Sequence, residues 1–355
     1  MTILTIVGAR PQFIKAAPVS TALRRQQREI LVHTGQHYDA GMSQVFFTEL
    51  GIPQPDINLG IGSGSHGDQT GRMLQALEAV MLAEQPDWVL VYGDTNSTLA
   101  GALAAVKLGL RVAHVEAGLR SFNRAMPEEH NRVLTDHCAD LLLCPTQTAV
   151  DLLAAEGLTA GVHLVGDVMV DALRQHATLA RDRSQLLATL GLLAGSYCLA
   201  TVHRPYNTDV PENLRHILLA FGDIYQRSGR AVVLPLHPRT RKHLHELALP
   251  LPAGVHLLDP VGYLDMLALE QHAALILTDS GGVQKEAYTL GVPCVTLRPE
   301  TEWVETVQAG WNVLTGADRA AIVQAAVEHT WPSGQPPAVF GDGHAAERIV
   351  ALLPS

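Results

Sequence analysis

The sequence predicts an α/β protein with two parallel sheets, each flanked by helices. Three observations support this prediction. Apolar, β-rich runs alternate with helix-compatible segments from the first residues onward. The run Trp88–Tyr92 is continuously apolar, as expected of a strand that is buried on both faces of a parallel sheet. The chain of 355 residues is also long for one hydrophobic core and fits two domains of ordinary size.

Six apolar runs in the first half of the chain predict the strands of the first sheet. They are Ile3–Val7, Ile30–Val32, Trp88–Tyr92, Val112–Val115, Leu141–Cys144 and Val162–Val165. The helices predicted between them are one that ends near Arg25, Thr70–Ala83, Ala100–Leu108, one that begins at Pro127, and Ala149–Glu156. Such alternation is typical of a parallel sheet with right-handed crossovers. Residues 1–170 are therefore predicted to form one Rossmann-like domain.

The pattern changes near Asp171, where a charged helix with Arg181, Asp182 and Arg183 begins. We interpret this segment as the linker to a second domain over residues 171–339. The strands predicted in that domain are Tyr197–Val202, Ala231–Leu236, Val255–Leu258, Ala274–Leu277 and Cys294–Leu297. We expect two Rossmann-like domains that face each other across a cleft. The last segment, about residues 340–355, is predicted to form a helix that packs back on the first domain.

The bulk composition excludes several classes of protein. The chain is 47% hydrophobic and 17% charged, and its mean hydropathy of +0.12 is typical of a well-buried globular protein. The formal net charge of −10 argues against a nucleic-acid partner. No apolar run approaches the roughly 18 residues of a membrane span, and the first residues lack the features of a signal peptide. The four cysteines show no paired spacing, so we expect free thiols in a cytoplasmic protein.

Three carboxylates, Asp94, Glu116 and Glu128, lie at or shortly after the ends of predicted strands in the first domain. Ligands of open α/β sheets bind at this edge. Carboxylates that converge there raise one another's pKa, which favours proton transfer near neutral pH. For the neighbouring Glu129, a favourable contact with a helix dipole is an alternative. Metal binding is the rival use of the carboxylates. The sequence has no HExxH motif, clustered cysteine ligands or EF-hand loop, so we predict no metal site.

The turn Gly8–Lys15 is the first candidate anion site. It follows the first predicted strand, opens a helix and carries two cations, Arg10 and Lys15. Cations near a helix N-terminus suit an anionic ligand, although simple solvation of both side chains is the alternative. The turn lacks the G-x-G-x-x-G fingerprint of dinucleotide binding, so no nicotinamide cofactor is predicted.

The segment Asp279–Glu286 is the stronger candidate for an anion-binding site. A predicted strand ends there at Ser280, Gly281 and Gly282, and the free N–H groups of such a turn can surround a phosphate. Glu286 follows about two turns into the helix, where it could bind a ribose diol. Glycines that serve only a tight turn are the alternative.

Two histidines, His203 and His237, close neighbouring strands of the second domain. An imidazole titrates near neutral pH, so His203 is a candidate general acid or base, or a phosphate ligand. A structural role is the alternative, because the chain contains 17 histidines.

These segments together resemble the non-hydrolysing UDP-N-acetylglucosamine 2-epimerase family over essentially the whole chain. The resemblance rests on GARPQFIKAAPV at 8–19, TGQHYD at 34–39, GDTNSTLAGALAA at 93–105, HVEAGLRS at 114–121, MPEEHNR at 126–132, TVHR at 201–204 and DSGGVQKEAYTLGVPCVTLRPETEW at 279–303. It implies a two-domain fold of the glycosyltransferase-B type and a UDP-sugar substrate in the cleft. It also implies that neither a metal nor a nicotinamide is used, and that the chain forms a homodimer, as members commonly do.

The resemblance further implies a mechanism of elimination and re-addition. A base removes the proton at C2, UDP leaves from C1, and a 2-acetamidoglucal intermediate forms. Reprotonation on the opposite face and return of UDP then invert C2. The residues that match catalytic positions of the family are Asp94, Glu116, Glu128 and His203. Those that match UDP-sugar-binding positions are Arg10, Lys15, Arg204, His237, Ser280, Gly281, Gly282 and Glu286.

Two departures from the family pattern concern the substrate. After His203-Arg204 the chain continues with Pro205–Asp209, where a typical member has Arg-Glu-Asn, and the loop after Glu116 is shorter than usual. In both features the chain resembles a sub-branch of the family that epimerises UDP-2,3-diacetamido-2,3-dideoxyglucuronate. Arg120 or Arg124 could bind the carboxylate of that sugar bidentately.

Other functions remain open at this point. Bacterial members of the family can bind a second UDP-N-acetylglucosamine as an activator, and Gln36, His37 and Arg72 are the residues expected at such a site. A glycosyltransferase of similar fold, a nucleotide-sugar sensor without activity, and a hydrolysing epimerase that releases N-acetylmannosamine are the alternative functions.

Overall fold

The computed structural model describes residues 1–36, 47, 54–236, 240–241, 243–244 and 250–353, apart from the side chain of Arg10. The chain divides into two compact units. Unit 1 consists of Met1–Arg174 with Val339–Ser355, and unit 2 of Gln175–Ala338. Across the described ranges, no helix is both long enough and apolar enough to cross a membrane.

Unit 1 is built on a seven-stranded parallel sheet with the order β3-β2-β1-β4-β5-β6-β7. Its strands are β1 (Thr2–Val7), β2 (Arg28–His33), β3 (Ile57–Asn58), β4 (Trp88–Tyr92), β5 (Arg111–Val115), β6 (Leu141–Cys144) and β7 (Val162–Leu164). The strand order reverses between β1 and β4. Such a reversal opens a crevice at the carboxyl ends of the strands, which is where open α/β sheets bind ligands.

The helices of the first half of the chain are α1 (Arg10–Leu23), α2 (His66–Glu84), α3 (Asn96–Lys107), α4 (Pro127–Cys138), α5 (Gln147–Ala155) and α6 (Val168–Arg183). Side-chain caps define the residues at which two of these helices begin. Ser65 caps α2 and Thr95 caps α3, each by accepting a backbone N–H of the first turn. Helix α3 lies close to the sheet because Gly101 faces it, and a Cβ there would meet the Ile6 Cδ1 atom at 2.7 Å.

The end of the chain belongs to unit 1. Helix α14 (Ala345–Leu352) packs against α1, and the backbone N–H groups of Ala345 and Ala346 donate to the Asp171 carboxylate at 3.2 and 2.9 Å. A carboxylate is well placed at the start of a helix, because the first N–H groups have no partner within the helix.

Unit 2 is built on a six-stranded parallel sheet with the order β10-β9-β8-β11-β12-β13. Its strands are β8 (Tyr197–Thr201), β9 (Ala231–Pro235), β10 (Val255–Leu258), β11 (Leu275–Thr278), β12 (Cys294–Thr296) and β13 (Asn312–Leu314). The helices are α7 (Leu186–Leu190), α8 (Pro205–Thr208), α9 (Pro211–Ser228), α10 (Tyr263–His272), α11 (Gly281–Leu290), α12 (Val304–Gln308) and α13 (Arg319–Val327). Here the order reverses between β8 and β11, so the crevice of this sheet lies beside the ends of those two strands.

The prediction of an α/β protein with two parallel sheets is confirmed. The sequence-based analysis missed two strands, β3 and β13, which are two and three residues long. Each of them holds an asparagine and at most two apolar residues, so neither gives an apolar run. It also placed the start of α2 at Thr70, whereas Ser65 caps a helix that begins at His66.

Candidate active site

The carboxyl ends of β1, β4 and β5 bring the predicted residues of unit 1 together. These strands are neighbours in the sheet, and they are followed by Gly8, by Gly93-Asp94 and by Glu116. Gln12 ties two of the strand ends, since its Nε2 donates to the Tyr92 carbonyl at 2.7 Å and its Oε1 accepts the Gly8 N–H at 2.8 Å. The predicted edge of the sheet is thereby held as one surface.

Glu116 and Lys15 form a buried ion pair at this edge. The Lys15 Nζ atom lies 2.6 Å from Glu116 Oε2, and the two side chains are only 12% and 8% exposed. Glu116 has a φ of +71°, which is unusual for a residue other than glycine. Strained backbone of this kind is concentrated at functional sites, where the surrounding structure holds it. The strain and the ion pair together direct the Glu116 carboxylate toward the helix α1 side of the sheet edge.

Asp94 and Glu129 share one arginine. Arg132 pairs with the Asp94 carboxylate through Nη2 and with Glu129 Oε2 through Nη1, the latter at 3.1 Å. Glu129 also accepts the Ser121 and Phe122 backbone N–H groups at 3.0 and 2.8 Å. Burial raises the pKa of Glu129, but these hydrogen bonds and Arg132 outweigh it and leave the pKa below its ordinary value. Glu129 therefore stays ionised and fixes the loop after β5.

Glu128 lies half-buried in the first turn of α4, where Pro127 opens the helix. Its carboxylate has no hydrogen bond or ion pair within the described part of the chain. Of the predicted catalytic carboxylates in unit 1, Asp94 and Glu116 are thus held by cations, and Glu128 is available to a ligand.

A buried network supports the loop that follows Glu116. The Arg120 guanidinium donates to Asp136 Oδ2 at 2.6 Å and to both Glu156 oxygens at 2.7 and 2.8 Å. Burial lowers the pKa of Arg120, but these carboxylates outweigh it and raise the pKa further above its high ordinary value. The hypothesis that Arg120 binds a sugar carboxylate is therefore wrong, because its donors are used within unit 1. Arg124 is exposed and forms no ion pair among the described residues.

The residues expected at an activator site are only partly described. Gln36 Oε1 accepts the Ser97 backbone N–H at 3.1 Å and its hydroxyl at 2.6 Å, so Gln36 joins the start of α3. Arg72 is on α2 and pairs with Asp68 at 2.8 Å in an exposed position. His37 lies outside the described residues.

Asp279 organises the corresponding edge of unit 2. It follows β11, is fully buried and accepts the backbone N–H groups of His203 and Arg204, both at 2.9 Å. It also accepts Asn207 Nδ2 at 3.0 Å, and its Oδ1 lies 3.2 Å from His203 Nδ1. A carboxylate on Nδ1 orients an imidazole and leaves its Nε2 atom to act on a ligand. The sequence-based analysis treated Asp279 only as the first residue of a turn.

The turn after Asp279 has the geometry of an anion site. Ser280 caps α11 by accepting the Val283 N–H, and Gly281 and Gly282 form the first turn of the helix. A Cβ at Gly282 would meet only the Ser280 hydroxyl, at 3.8 Å, so a ligand can approach the backbone closely. Glu286 is buried in the next turns, where Tyr263 Oη donates to its Oε1 at 3.3 Å.

Two more predicted ligands are in unit 2. Arg204 is half-buried, and its Nε atom has no hydrogen-bond partner among the described residues, as expected of a group that awaits an anion. His237 lies outside the described residues. No three His, Cys, Asp or Glu side chains in the described ranges are arranged to hold a metal ion.

Glu270 on α10 is a buried carboxyl that the sequence-based analysis missed. It is 1% exposed, and neither of its oxygens has a hydrogen-bond partner among the described residues. Burial, and then the charge of Glu286, raise the pKa of Glu270 well above its ordinary value. The protonated form of Glu270 is therefore favoured in this position, where a lone charge would be costly.

We expect Glu270→Leu to stabilise unit 2, and to do so more at high pH. The unfolded carboxyl ionises above about pH 4.3, whereas the folded one does not, so stability is lost as pH rises toward the folded-state pKa. This loss amounts to about 1.4 kcal/mol for each pH unit, and leucine removes it. Calorimetric melts at about pH 5 and about pH 8 would measure the difference. Glu270→Gln is the matched control, since it removes the titration but keeps a buried polar group. An equal gain for leucine at both pH values would contradict the assignment.

Fold and geometry together define the class of protein. One α/β unit carries ion-paired carboxylates at a sheet edge, and the other carries an oriented imidazole beside a helix start with the geometry of an anion site. A family model described as UDP-N-acetylglucosamine 2-epimerase matches residues 21–354. The chain belongs to the UDP-N-acetylglucosamine 2-epimerase family.

Named relatives are similar to this chain over its whole length. The UDP-2,3-diacetamido-2,3-dideoxy-D-glucuronate 2-epimerase of Pseudomonas aeruginosa is 53% identical and is matched over 99% of each chain. The UDP-N-acetylglucosamine 2-epimerase of Methanococcus maripaludis is 44% identical over 98% of this chain and 97% of that one. The crystal structure of the Methanocaldococcus jannaschii UDP-GlcNAc 2-epimerase with UDP-GlcNAc and UDP has a TM-score of 0.89 at 45% identity, over 99% of both chains.

Proposed function

We propose that this protein epimerises UDP-N-acetylglucosamine at C2 to give UDP-N-acetylmannosamine, without hydrolysis. The observation that carries the proposal is the Lys15–Glu116 ion pair of 2.6 Å at the end of β5, in a residue with strained backbone. An ionised carboxylate at that sheet edge is the group that proton abstraction needs. Relatives named for this activity support the proposal.

The proposed reaction is an elimination followed by an addition. Glu116 takes the proton from C2, the C1–O bond breaks, and UDP leaves with the bonding pair as the C1=C2 bond of the glucal forms. A second carboxyl group, Asp94 or Glu128, enters this step protonated and gives its proton to the opposite face of C2 while UDP adds again to C1. The proton on Glu116 then passes through solvent to the carboxylate that donated, which restores both groups, so no metal, nicotinamide or co-substrate is required.

UDP binding is assigned to the residues with anion-binding geometry. Gly281 and Gly282 offer N–H groups and Ser280 its hydroxyl to the diphosphate at the start of α11, since the Ser280 N–H already donates to Thr278 Oγ1 at 2.9 Å. Glu286 is suited to the ribose diol. Arg204 and His203 contribute positive charge beside the departing oxygen. Arg10, Lys15 and His237 are kept as proposed ligands on the basis of the sequence.

The alternative substrate is UDP-2,3-diacetamido-2,3-dideoxyglucuronate, with the same chemistry at C2. Two observations favour it. The Pseudomonas aeruginosa relative named for this sugar is 53% identical. In addition, the exposed Arg124 has a guanidinium that no described carboxylate occupies, and a guanidinium binds a sugar carboxylate bidentately.

Proton NMR of the purified protein with each sugar nucleotide in D₂O tests the proposal. Loss of the H2 signal and growth of a manno anomeric signal are expected with UDP-N-acetylglucosamine, and chelator should leave the rate unchanged. Turnover only of the diacetamido uronate would select the alternative substrate. Free UDP that accumulates with product would indicate a hydrolysing epimerase. Silence with both sugars would refute the proposed function.

We further propose that the protein works as a cytoplasmic homodimer that supplies sugar nucleotides for polysaccharide synthesis. The family resemblance supports this assignment. Sedimentation equilibrium over a range of protein concentrations tests the oligomeric state, and a single species with the 38.2 kDa mass of one chain would contradict it.

A further inference from the structure

His114 is buried between two hydrogen-bond acceptors. It lies on β5 and is fully buried. Its Nδ1 atom is 2.7 Å from Asp136 Oδ1, and its Nε2 atom is 2.7 Å from the Gly93 carbonyl oxygen. A neutral imidazole carries only one N–H. With a neutral ring, the lone pair of the other ring nitrogen would therefore face the lone pair of an acceptor oxygen. Both contacts are favourable when both ring nitrogens carry a proton.

Asp136 is ionised in this arrangement. Its Oδ2 accepts the Gly118 N–H at 3.1 Å and Arg120 Nη1 at 2.6 Å. Burial raises the pKa of Asp136, but His114 and then Arg120 outweigh burial and hold it below its ordinary value. A carboxylate that accepts from several donors therefore faces the imidazole.

A cationic His114 gives each oxygen of Asp136 a charged partner. Arg120 pairs with Oδ2 and also with Glu156, which is exposed and lies 3.3 Å from His137 Nε2. A protonated His114 is the charged partner of Oδ1. Cys144 on the neighbouring β6 contributes none, because burial, with Asp136, raises the pKa of its thiol to about 12. A buried carboxylate is costly unless it is paired, and Asp136 is then paired through both oxygens.

The two contacts of the His114 ring connect it to the backbone beside the two proposed acid–base residues, directly for Asp94 and through Asp136 for Glu116. The Gly93 carbonyl belongs to the peptide bond that Asp94 completes, and Gly118, held by Asp136, is two residues after Glu116. We propose that His114 is a buried imidazolium which, together with Asp136, positions Asp94 and Glu116 for proton transfer. The role in catalysis rests on the function proposed above, whereas the protonation state does not.

The protonation state is tested directly by NMR. Full-length protein labelled with ¹⁵N-histidine is examined in its native state by long-range ¹H–¹⁵N correlation, and His114→Gln assigns the signals. We expect both His114 nitrogens to carry a proton, because each faces an acceptor at 2.7 Å. A neutral single tautomer for His114, with the proton on Asp136, would overturn the proposal.

The positioning role is tested with His114→Gln and Asp136→Asn. We expect kcat for C2 exchange to fall about 10–100-fold, since displacement of a reacting group by about 1 Å costs up to about 10²-fold. KM and the affinity for UDP should change much less than kcat, because the UDP residues proposed in unit 2 are untouched. His163→Gln, on the half-buried β7 position of the same sheet, is the matched control and should keep wild-type kcat.

The outcomes separate the two proposals. If kcat, UDP affinity and melting temperature all fell together in these variants, His114 would have a structural role only, and the proposed positioning role would be overturned. Unchanged kcat in both variants would overturn it as well. If the wild-type protein exchanges C2 of neither sugar, the proposed function fails, while the NMR result still decides the charge on His114.

Discussion

Glu116→Gln is expected to reduce C2 deuterium exchange by about 10³–10⁴-fold while UDP still binds. The amide keeps the shape of the side chain but cannot take a proton, and general base catalysis of this kind contributes about 10²–10⁴-fold. Loss of the ion pair with Lys15, 2.6 Å away in the native protein, adds to the effect because a buried ammonium is left without its partner. Exchange is measured by NMR in D₂O and UDP affinity by calorimetry.

Glu347→Gln is the control for this experiment. Glu347 is in the same unit, and its side chain is 63% exposed, so the same chemical change there should leave exchange at the wild-type rate. Full turnover of the Glu116 variant would show that the base lies elsewhere. Asp94→Asn and Glu128→Gln would then be measured next. Loss of UDP binding in the Glu116 variant would instead indicate a disturbed fold at the end of β5.

The sheets were predictable because a buried parallel strand is apolar at every position. Trp88–Tyr92 is buried at all five positions, and the sequence alone gave its bounds. The ends of such strands also place the residues that follow them, so Asp94 and Glu116 could be assigned to one sheet edge. The short edge strands β3 and β13 each hold an asparagine and at most two apolar residues, so neither gives an apolar run.

The partners of the site residues could not be predicted in the same way. Arg132 meets Asp94, and His114 meets Asp136, only because α4 packs beside α3 and β5. Sequence separation of 38 and 22 residues gives no sign of either contact. Arg120 was predicted to bind a ligand and is instead a structural cation, because packing brings Asp136 and Glu156 to it. A cation beside a predicted site is visible in a sequence, whereas the carboxylates that occupy it depend on packing.

Buried carboxyls were the most difficult to predict. Glu270 stands in a helix whose other buried positions are mostly apolar, and nothing in the sequence distinguishes it from a solvated glutamate. Asp279 was visible as part of the turn before α11. Its importance comes from the donors that converge on it from the segment after β8, and this convergence depends on β8 and β11 being neighbours.

The structure leads to a second large expected effect, at Asp279. Replacement by alanine would leave the His203 and Arg204 backbone N–H groups and the Asn207 amide without this acceptor, in a fully buried position. Breaking a buried charged interaction by removing one partner costs about 3–5 kcal/mol. For a unit of this size, about 1 kcal/mol lowers the melting temperature by about 2–4 °C, so we expect a fall of about 10 °C. Scanning calorimetry would measure it.

UDP affinity should fall with the Asp279→Ala substitution, because His203 loses its orienting carboxylate and the turn before α11 loses its anchor. Asp279→Asn separates the two effects. Its amide oxygen still accepts backbone N–H groups, so most of the stability should remain, but it no longer pairs with His203 and turnover should stay low. Asp259→Ala is the control, since that side chain is 88% exposed and its removal should change stability by less than about 1 kcal/mol. If Asp279→Ala melted and bound UDP like the native protein, the converging donors would have another acceptor, and His203 would not owe its orientation to Asp279.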